Sequence, residues 1–127
     1  MATKKYSNRT SSSKKSLVPL ELKTYAKKHN INTKFKKTGT SGEFIDWFLD
    51  PFMGGSDVFS YYILMRPDKT YEVTLQRRYI TTSGGYIDRM YINDFGRESE
   101  DTPHIFDSLT ESKKAVLNHL SKVLKVL

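Results

Sequence analysis

The alternation of apolar and polar residues is clearest in the second half of the chain. VFSYYILMR (58–66) is apolar on both faces, as a central strand is, and rich in aromatic and β-branched residues. PDKT (67–70) predicts a turn, with Pro67 pre-setting the backbone and Asp68 favouring the bend. In YEVTLQRRYI (71–80), Tyr71, Val73 and Leu75 share one face and Glu72, Thr74 and Gln76 the other. The pattern breaks at Arg77 and Arg78, and a bulge near 77–82 is expected to account for it. TTSGG (81–85) turns the chain and YIDRMYIND (86–94) returns as a third antiparallel strand. FGRESEDTPHI (95–105) reads as an acidic surface loop.

The last twenty residues predict an amphipathic helix. Ser108 and Glu111 have the spacing of a capping box. Leu109, Val116, Leu117, Leu120, Val123, Leu124 and Leu127 form its apolar face, and Lys113, Lys114, Lys122 and Lys125 its solvated side. Closing the sheet is its expected primary role, with pairing to a second copy as the rival.

The first third reads differently. Residues 1–18 are Ser, Thr and Lys with few apolar positions and predict a flexible basic arm ahead of one compact domain, 19–127. Pro19 suits a first helical turn, after which Leu22, Tyr25, Ala26 and His29 fall on one helical face. This has the flavour of a helix-turn-helix, but NTKFKKTGTSGE offers no recognition helix at the right distance. SGEFIDWFLDPF (41–52) predicts a short helix or tight turn, with Ser41 as N-cap and Pro51 as terminator. Its Phe44, Trp47, Phe48 and Phe52 belong to the most apolar patch of the chain, a core segment by default and a protein-docking patch by alternative. The expected fold is therefore α+β. It is an antiparallel meander of three or four strands, packed with a C-terminal helix and one or two N-terminal helices.

Charge changes this picture. The net charge of +7 is unevenly placed: residues 1–42 hold eleven Lys or Arg against one acid, Glu21, while residues 43–127 hold ten against thirteen. Clustered cations within a Debye length of about 8 Å act together on a polyanion. Lys4, Lys5, Arg9, Lys14, Lys15, Lys27, Lys28, Lys34, Lys36 and Lys37 are thus candidate nucleic-acid contacts, against the plainer reading of a solubilising tail. The chain lacks cysteine, which removes disulfides and cysteine-ligated zinc, and no apolar run reaches the roughly 18–20 residues of a membrane span. A soluble cytoplasmic protein, in the host cytoplasm if viral, is expected.

Catalytic patterns are missing. His29, His104 and His119 lie on different elements, and no serine sits in a nucleophile elbow. Asp57 and Glu72 could converge across the first hairpin, but Thr74 stands two residues after Glu72 where a metal-dependent nuclease would have lysine, and TSGGY is a hairpin turn rather than a phosphate-binding loop. A metal-independent ribonuclease built from Arg77, Arg78 and Tyr79 is the enzyme alternative. No cofactor or metal is expected.

The sheet itself carries Arg77, Arg78, Arg89 and Tyr79, with Tyr86 and Tyr91. Rings that stack bases and cations that track phosphates are what a bound strand of nucleic acid requires. The same residues also serve as ordinary sheet surface, with Glu72 and Asp88 nearby to pair the arginines. The turn PDK, the strand ending in RRY, the glycine turn and the amphipathic last helix together resemble the single-stranded-nucleic-acid-binding modules of the PC4 transcription-coactivator type. Those have a lysine- and serine-rich tail, a curved antiparallel sheet and a C-terminal helix that supports dimerisation. The resemblance implies binding roles for Arg77, Arg78, Tyr79 and Arg89. It does not extend to residues 17–56 or to the acidic loop. The expectation is a non-enzymatic DNA- or RNA-binding protein of transcription, replication or packaging, of phage or viral style. The alternative is an interaction module for a polymerase or virion component.

Overall fold

The computed structural model describes residues 30–37 and 46–126, with the backbone alone at Asp46, Ile80 and Thr81. The expected arm and first helix, and with them Lys4, Lys5, Arg9, Lys14, Lys15, Lys27, Lys28 and Phe44, lie outside the described residues.

Among the described residues six strands precede one helix: β1 (Lys36–Lys37), β2 (Asp46–Leu49), β3 (Phe59–Met65), β4 (Tyr71–Thr81), β5 (Gly84–Ile92), β6 (Glu98–Ser99) and α1 (Leu109–Lys125). The strands form a single antiparallel meander in chain order. The α+β class holds, but the described residues carry six strands rather than three or four. Of the segment 41–52, Ser41 lies outside the described residues, and the expected helix or turn is corrected at Asp46–Leu49 to a strand, with Asp46 opposite Leu64 and Leu49 opposite Tyr61. A short run that is apolar on both sides suits either element, and pairing with β3 decides it. Pro51, which has no N–H to give a ladder, stands two residues beyond the end of the strand. The expected acidic loop contains the short strand β6, paired to the end of β5. β1 consists of two exposed lysines at the sheet edge, where charge discourages further strand pairing.

The bulge expected at 77–82 is absent. Pairing of β4 with β5 runs unbroken from Thr74 opposite Tyr91 to Thr81 opposite Gly84, so the break in polarity at Arg77 has another cause. The turn at 67–70 is as expected: Arg66 N–H donates to Thr70 O at 2.7 Å, and Asp68 Oδ1 accepts from Thr70 N–H at 3.0 Å. Beyond β6 the chain returns to β4, where Tyr71 and Phe106 exchange backbone hydrogen bonds of 2.9 Å each.

α1 packs on one face of this sheet. Leu49, Phe59, Tyr61, Ile63, Val73, Leu75 and Ile92 meet Ala115, Val116, Leu120 and Val123 in one cluster, with Phe52, Val58 and Phe106 completing it. Ser108 caps the helix, its Oγ accepting from Glu111 N–H at 3.2 Å. The buried stripe is rotated from the expected one. Ser112, Ala115 and His119 turn inward with Val116, Leu120 and Val123, while Leu117 and Leu124 are exposed. The cause is polar: His119 has buried partners on the sheet, described below.

The two faces of the sheet predict different costs for the same substitution. Ile63→Val, on the helix side, is expected to cost about 1 kcal/mol, whereas Ile87→Val, half exposed on the other face, stays within about 0.5 kcal/mol. Urea midpoints at unchanged m-value check both.

Candidate nucleic-acid interface

Residues opposite one another in an antiparallel ladder point to the same face, so register alone assigns every strand side chain. One row crosses the whole sheet on the face away from α1: Lys36, Phe48, Tyr62, Thr74, Tyr91 and Ser99, one residue from each strand in turn. The Phe48 and Tyr62 rings lie 5.3 Å apart at a tilt of 46°. Two residues along, about 7 Å away, comes the row Ser60, Gln76 and Arg89, and beyond it Arg78 opposite Ile87. The connection between β2 and β3 folds over part of these rows. Ser60 Oγ donates to Gly55 O at 3.4 Å, and Tyr62 Oη and Gln76 Nε2 donate to Ser56 O at 3.4 and 3.1 Å. Arg89 is exposed beside that loop, and Arg78 stands 3.6 Å from Asp57.

The helix-side face contains a buried polar chain. Arg77, 3% exposed, donates through Nη1 and Nη2 to both carboxylate oxygens of Glu98 at 3.1 and 2.9 Å, and through Nη2 to Asp88 at 3.0 Å. Glu98 Oε2 also lies 2.7 Å from His119 Nε2, and His119 Nδ1 lies 2.6 Å from Tyr61 Oη. Burial and the neighbouring Glu98 push the Tyr61 hydroxyl well up, so it stays protonated. A ring that donates from Nε2 to Glu98 and accepts at Nδ1 from the Tyr61 hydroxyl is the neutral tautomer that satisfies all three groups. Burial acts to raise the Glu98 carboxyl, but the His119 hydrogen bond and the Arg77 charge outweigh it and hold the carboxyl below its usual range. Tyr79 packs beside Arg77, 5.5 Å from its guanidinium, and stacks on Tyr86 at 5.2 Å. Burial pushes the Tyr79 hydroxyl up to about 12.

Register thus divides the sheet residues that the sequence groups together. Arg77, Tyr79 and Tyr86 belong to the helix side, and Arg78, Arg89 and Tyr91 to the open side. Arg77 is committed to two carboxylates inside the protein, which explains the broken alternation. The ribonuclease grouping of Arg77, Arg78 and Tyr79 straddles the two faces. Asp57 and Glu72 do not converge: Glu72 pairs with Leu64 near the far end of β3, and Asp57 precedes its start. The aromatic segment is divided as well. Phe52 is core, Trp47 packs edge-on to Tyr71 at 6.2 Å at the rim of the core, and Phe48 faces outward. Lys34, Lys36 and Lys37 are exposed at the β1 edge.

Sequence alone does not single out Tyr62, Gln76, Glu98 or His119. The signal for Tyr62 lies in the YY pair at 61–62, since adjacent strand residues face opposite ways. The link from Glu98 to His119 spans separate elements and has no local signature. Comparison with protein-family models, curated proteins and solved structures gives no match for this chain. Among the described residues no helix is long and apolar enough to cross a membrane.

A pH prediction follows from Glu98. Its folded pKa lies below the ordinary value of 4.5, so its stabilisation is complete above that pH and is lost as pH falls through the folded value. In urea titrations between pH 3 and 7, Glu98→Gln is expected to flatten the acid limb of the stability profile. At neutral pH it should cost about 3 kcal/mol, because Arg77 loses a buried partner.

Proposed function

We propose that this chain is a non-enzymatic nucleic-acid-binding protein that holds a single strand of DNA or RNA across the open face of its sheet. The observation that carries this reading is the convergence of Phe48, Tyr62 and Tyr91 in one transverse row, with Lys36 at its end and Arg89 and Arg78 alongside. A ring on a sheet surface can stack only on a base whose face is uncovered, and a duplex covers both faces of its bases. Single strands offer those faces, and each stacked base contributes about 1–3 kcal/mol with little regard to sequence. Arginines two to four residues along the strands are placed to meet the phosphates of the same strand.

The basic N-terminal third supplies the longer-range attraction. Five cations, Lys4, Lys5, Arg9, Lys14 and Lys15, precede Ser16, and each phosphate they neutralise releases a counterion. The body, with its three surplus acids, needs that help. The PC4-type resemblance supports the same reading through Arg78 and Arg89. The buried Arg77 and Tyr79 are assigned a structural role instead. Such a protein would serve transcription, replication or packaging of a phage or viral genome.

An interaction module for a polymerase or virion component is the second reading, and Phe95 favours it. This ring is 66% exposed on a turn whose carbonyl oxygen accepts from Asn118 Nδ2 at 3.2 Å and Lys122 Nζ at 2.7 Å. An exposed aromatic on a backbone tied to the helix is what an interface anchor requires.

Fluorescence anisotropy with labelled single-stranded and duplex oligonucleotides tests the first reading. Tyr62→Ala and Tyr91→Ala should each weaken single-strand binding by about 1–3 kcal/mol, and Tyr86→Ala, on the other face, should not. Deleting residues 1–18 should reduce the slope of log K against log salt by about three to four units on single strands. Absence of binding to any polynucleotide at low ionic strength would leave the interaction reading in its place.

A further inference from the structure

Four arginines stand on or beside the central strands, and they are not held alike. Arg66 pairs with Glu72, Arg77 with Glu98 and Asp88, and Arg78 lies 3.6 Å from Asp57. Arg89 is held instead by a neutral amide: its Nε–H donates to Gln76 Oε1 at 3.0 Å. Among the described residues no carboxylate is paired with Arg89.

Gln76 is an unusual residue for this face. It is only 8% exposed, and Ser60 opposite it on β3 is fully buried, although both share the outward row with the exposed Arg89. The loop at Ser56 covers it, and its Nε2 donates to Ser56 O at 3.1 Å. The two contacts leave one chemically consistent orientation of the amide. Arg89 Nε–H can only donate, so it must meet the amide oxygen, and the Ser56 carbonyl can only accept, so it must meet the amide nitrogen. A buried amide with both ends engaged is fixed, and it fixes the guanidinium that leans on it.

We infer that Gln76 is the positioning residue of the binding face: a charge-neutral clamp that orients Arg89 for a phosphate oxyanion without cancelling its charge. With Nε occupied, the two terminal amino groups of Arg89 remain to grip an anion in the forked geometry that suits phosphate. A carboxylate in place of Gln76 would hold the guanidinium as firmly but would neutralise it, as Arg77 is neutralised on the other side. This rests on the reading of the open face as a nucleic-acid interface, and it assigns to one amide the presentation of that face's exposed arginine.

The test is a double-mutant cycle on the full-length protein, read by anisotropy of a fluorescein-labelled single-stranded oligonucleotide at several salt concentrations. Gln76→Leu should weaken binding about five- to tenfold, the contribution of one hydrogen bond, with an unchanged salt slope because the charge is still present. In the Arg89→Ala background the same change should have almost no further effect. Gln76→Glu, which keeps an acceptor for Nε, should weaken binding and also lower the salt slope by about one unit, as loss of one cationic contact does. The Arg89 Nε–Hε resonance should be protected from exchange with water in the wild type and lose protection in Gln76→Leu. Equal losses from Gln76→Leu with and without Arg89, or an unchanged salt slope in Gln76→Glu, would overturn the assignment. If Gln76→Leu fails to fold, the Gln76→Glu slope decides alone. Arg89→Ala binding as tightly as wild type would instead overturn the open-face reading itself.

Discussion

A guanidinium withdrawn from water must keep its counter-charges, and Arg77 sets the sheet on that condition. Its two carboxylates come from different strands, Asp88 on β5 and Glu98 on β6. Glu98 in turn is tied through His119 to α1, and His119 to Tyr61 on β3. One polar chain therefore links the helix to the strands on both sides of β4. A slip of β4 by one residue would exchange Arg77 for Arg78 on the helix side and leave the buried carboxylates without a partner. Such a broken buried pair costs about 3–5 kcal/mol, a large share of what a domain of this size has to lose. The hydrophobic cluster makes the sheet and helix adhere, and the Arg77 chain gives them one register.

That register decides what the other face presents. Because side chains alternate strictly, sending Arg77 inward sends Arg78 outward, and pairing Tyr61 with His119 turns Tyr62 to the open side. The same constraint brings Phe48, Tyr62 and Tyr91 into line across strands that are far apart in sequence. The arginines are thus divided between two tasks. The buried one has its charge offset by two acids and holds the fold, and the charge of the exposed Arg89 is not offset, because its partner is an amide. A body with surplus acid can still offer a cationic edge on one side, since screening confines electrostatics to about 8 Å.

Elements with a strong local period are legible in the amino-acid sequence alone. The three central strands, the turn at Pro67 and Asp68, and the helix capped by Ser108 all follow from spacing within one segment. Features that depend on pairing are not. Segment 46–49 is ambiguous because an apolar run suits a strand as well as a helix, and only β3 chooses between them. Arg77 and Arg78 look identical in sequence, and what separates them is the carboxylate of Glu98, at a sequence separation of 21 from Arg77. Leu117 and Leu124 look better suited to the core than His119, yet the histidine is inside because its two ring nitrogens are both satisfied there. The candidate site is the part most obscured by this dependence. Arg78, Arg89 and Tyr91 stand out as cations and rings in their own strands, but their companions Phe48 and Tyr62 join them only through the row across the sheet.

The proposal that a single strand lies on the open face of the sheet is the central claim. Photocrosslinking of the full-length protein to single strands carrying 5-iodouracil, followed by mass-spectrometric mapping of the adducts, reads that directly. The expected adducts are on Phe48, Tyr62 or Tyr91. Adducts on Tyr79 or Tyr86, with the outward row unmodified, would contradict it.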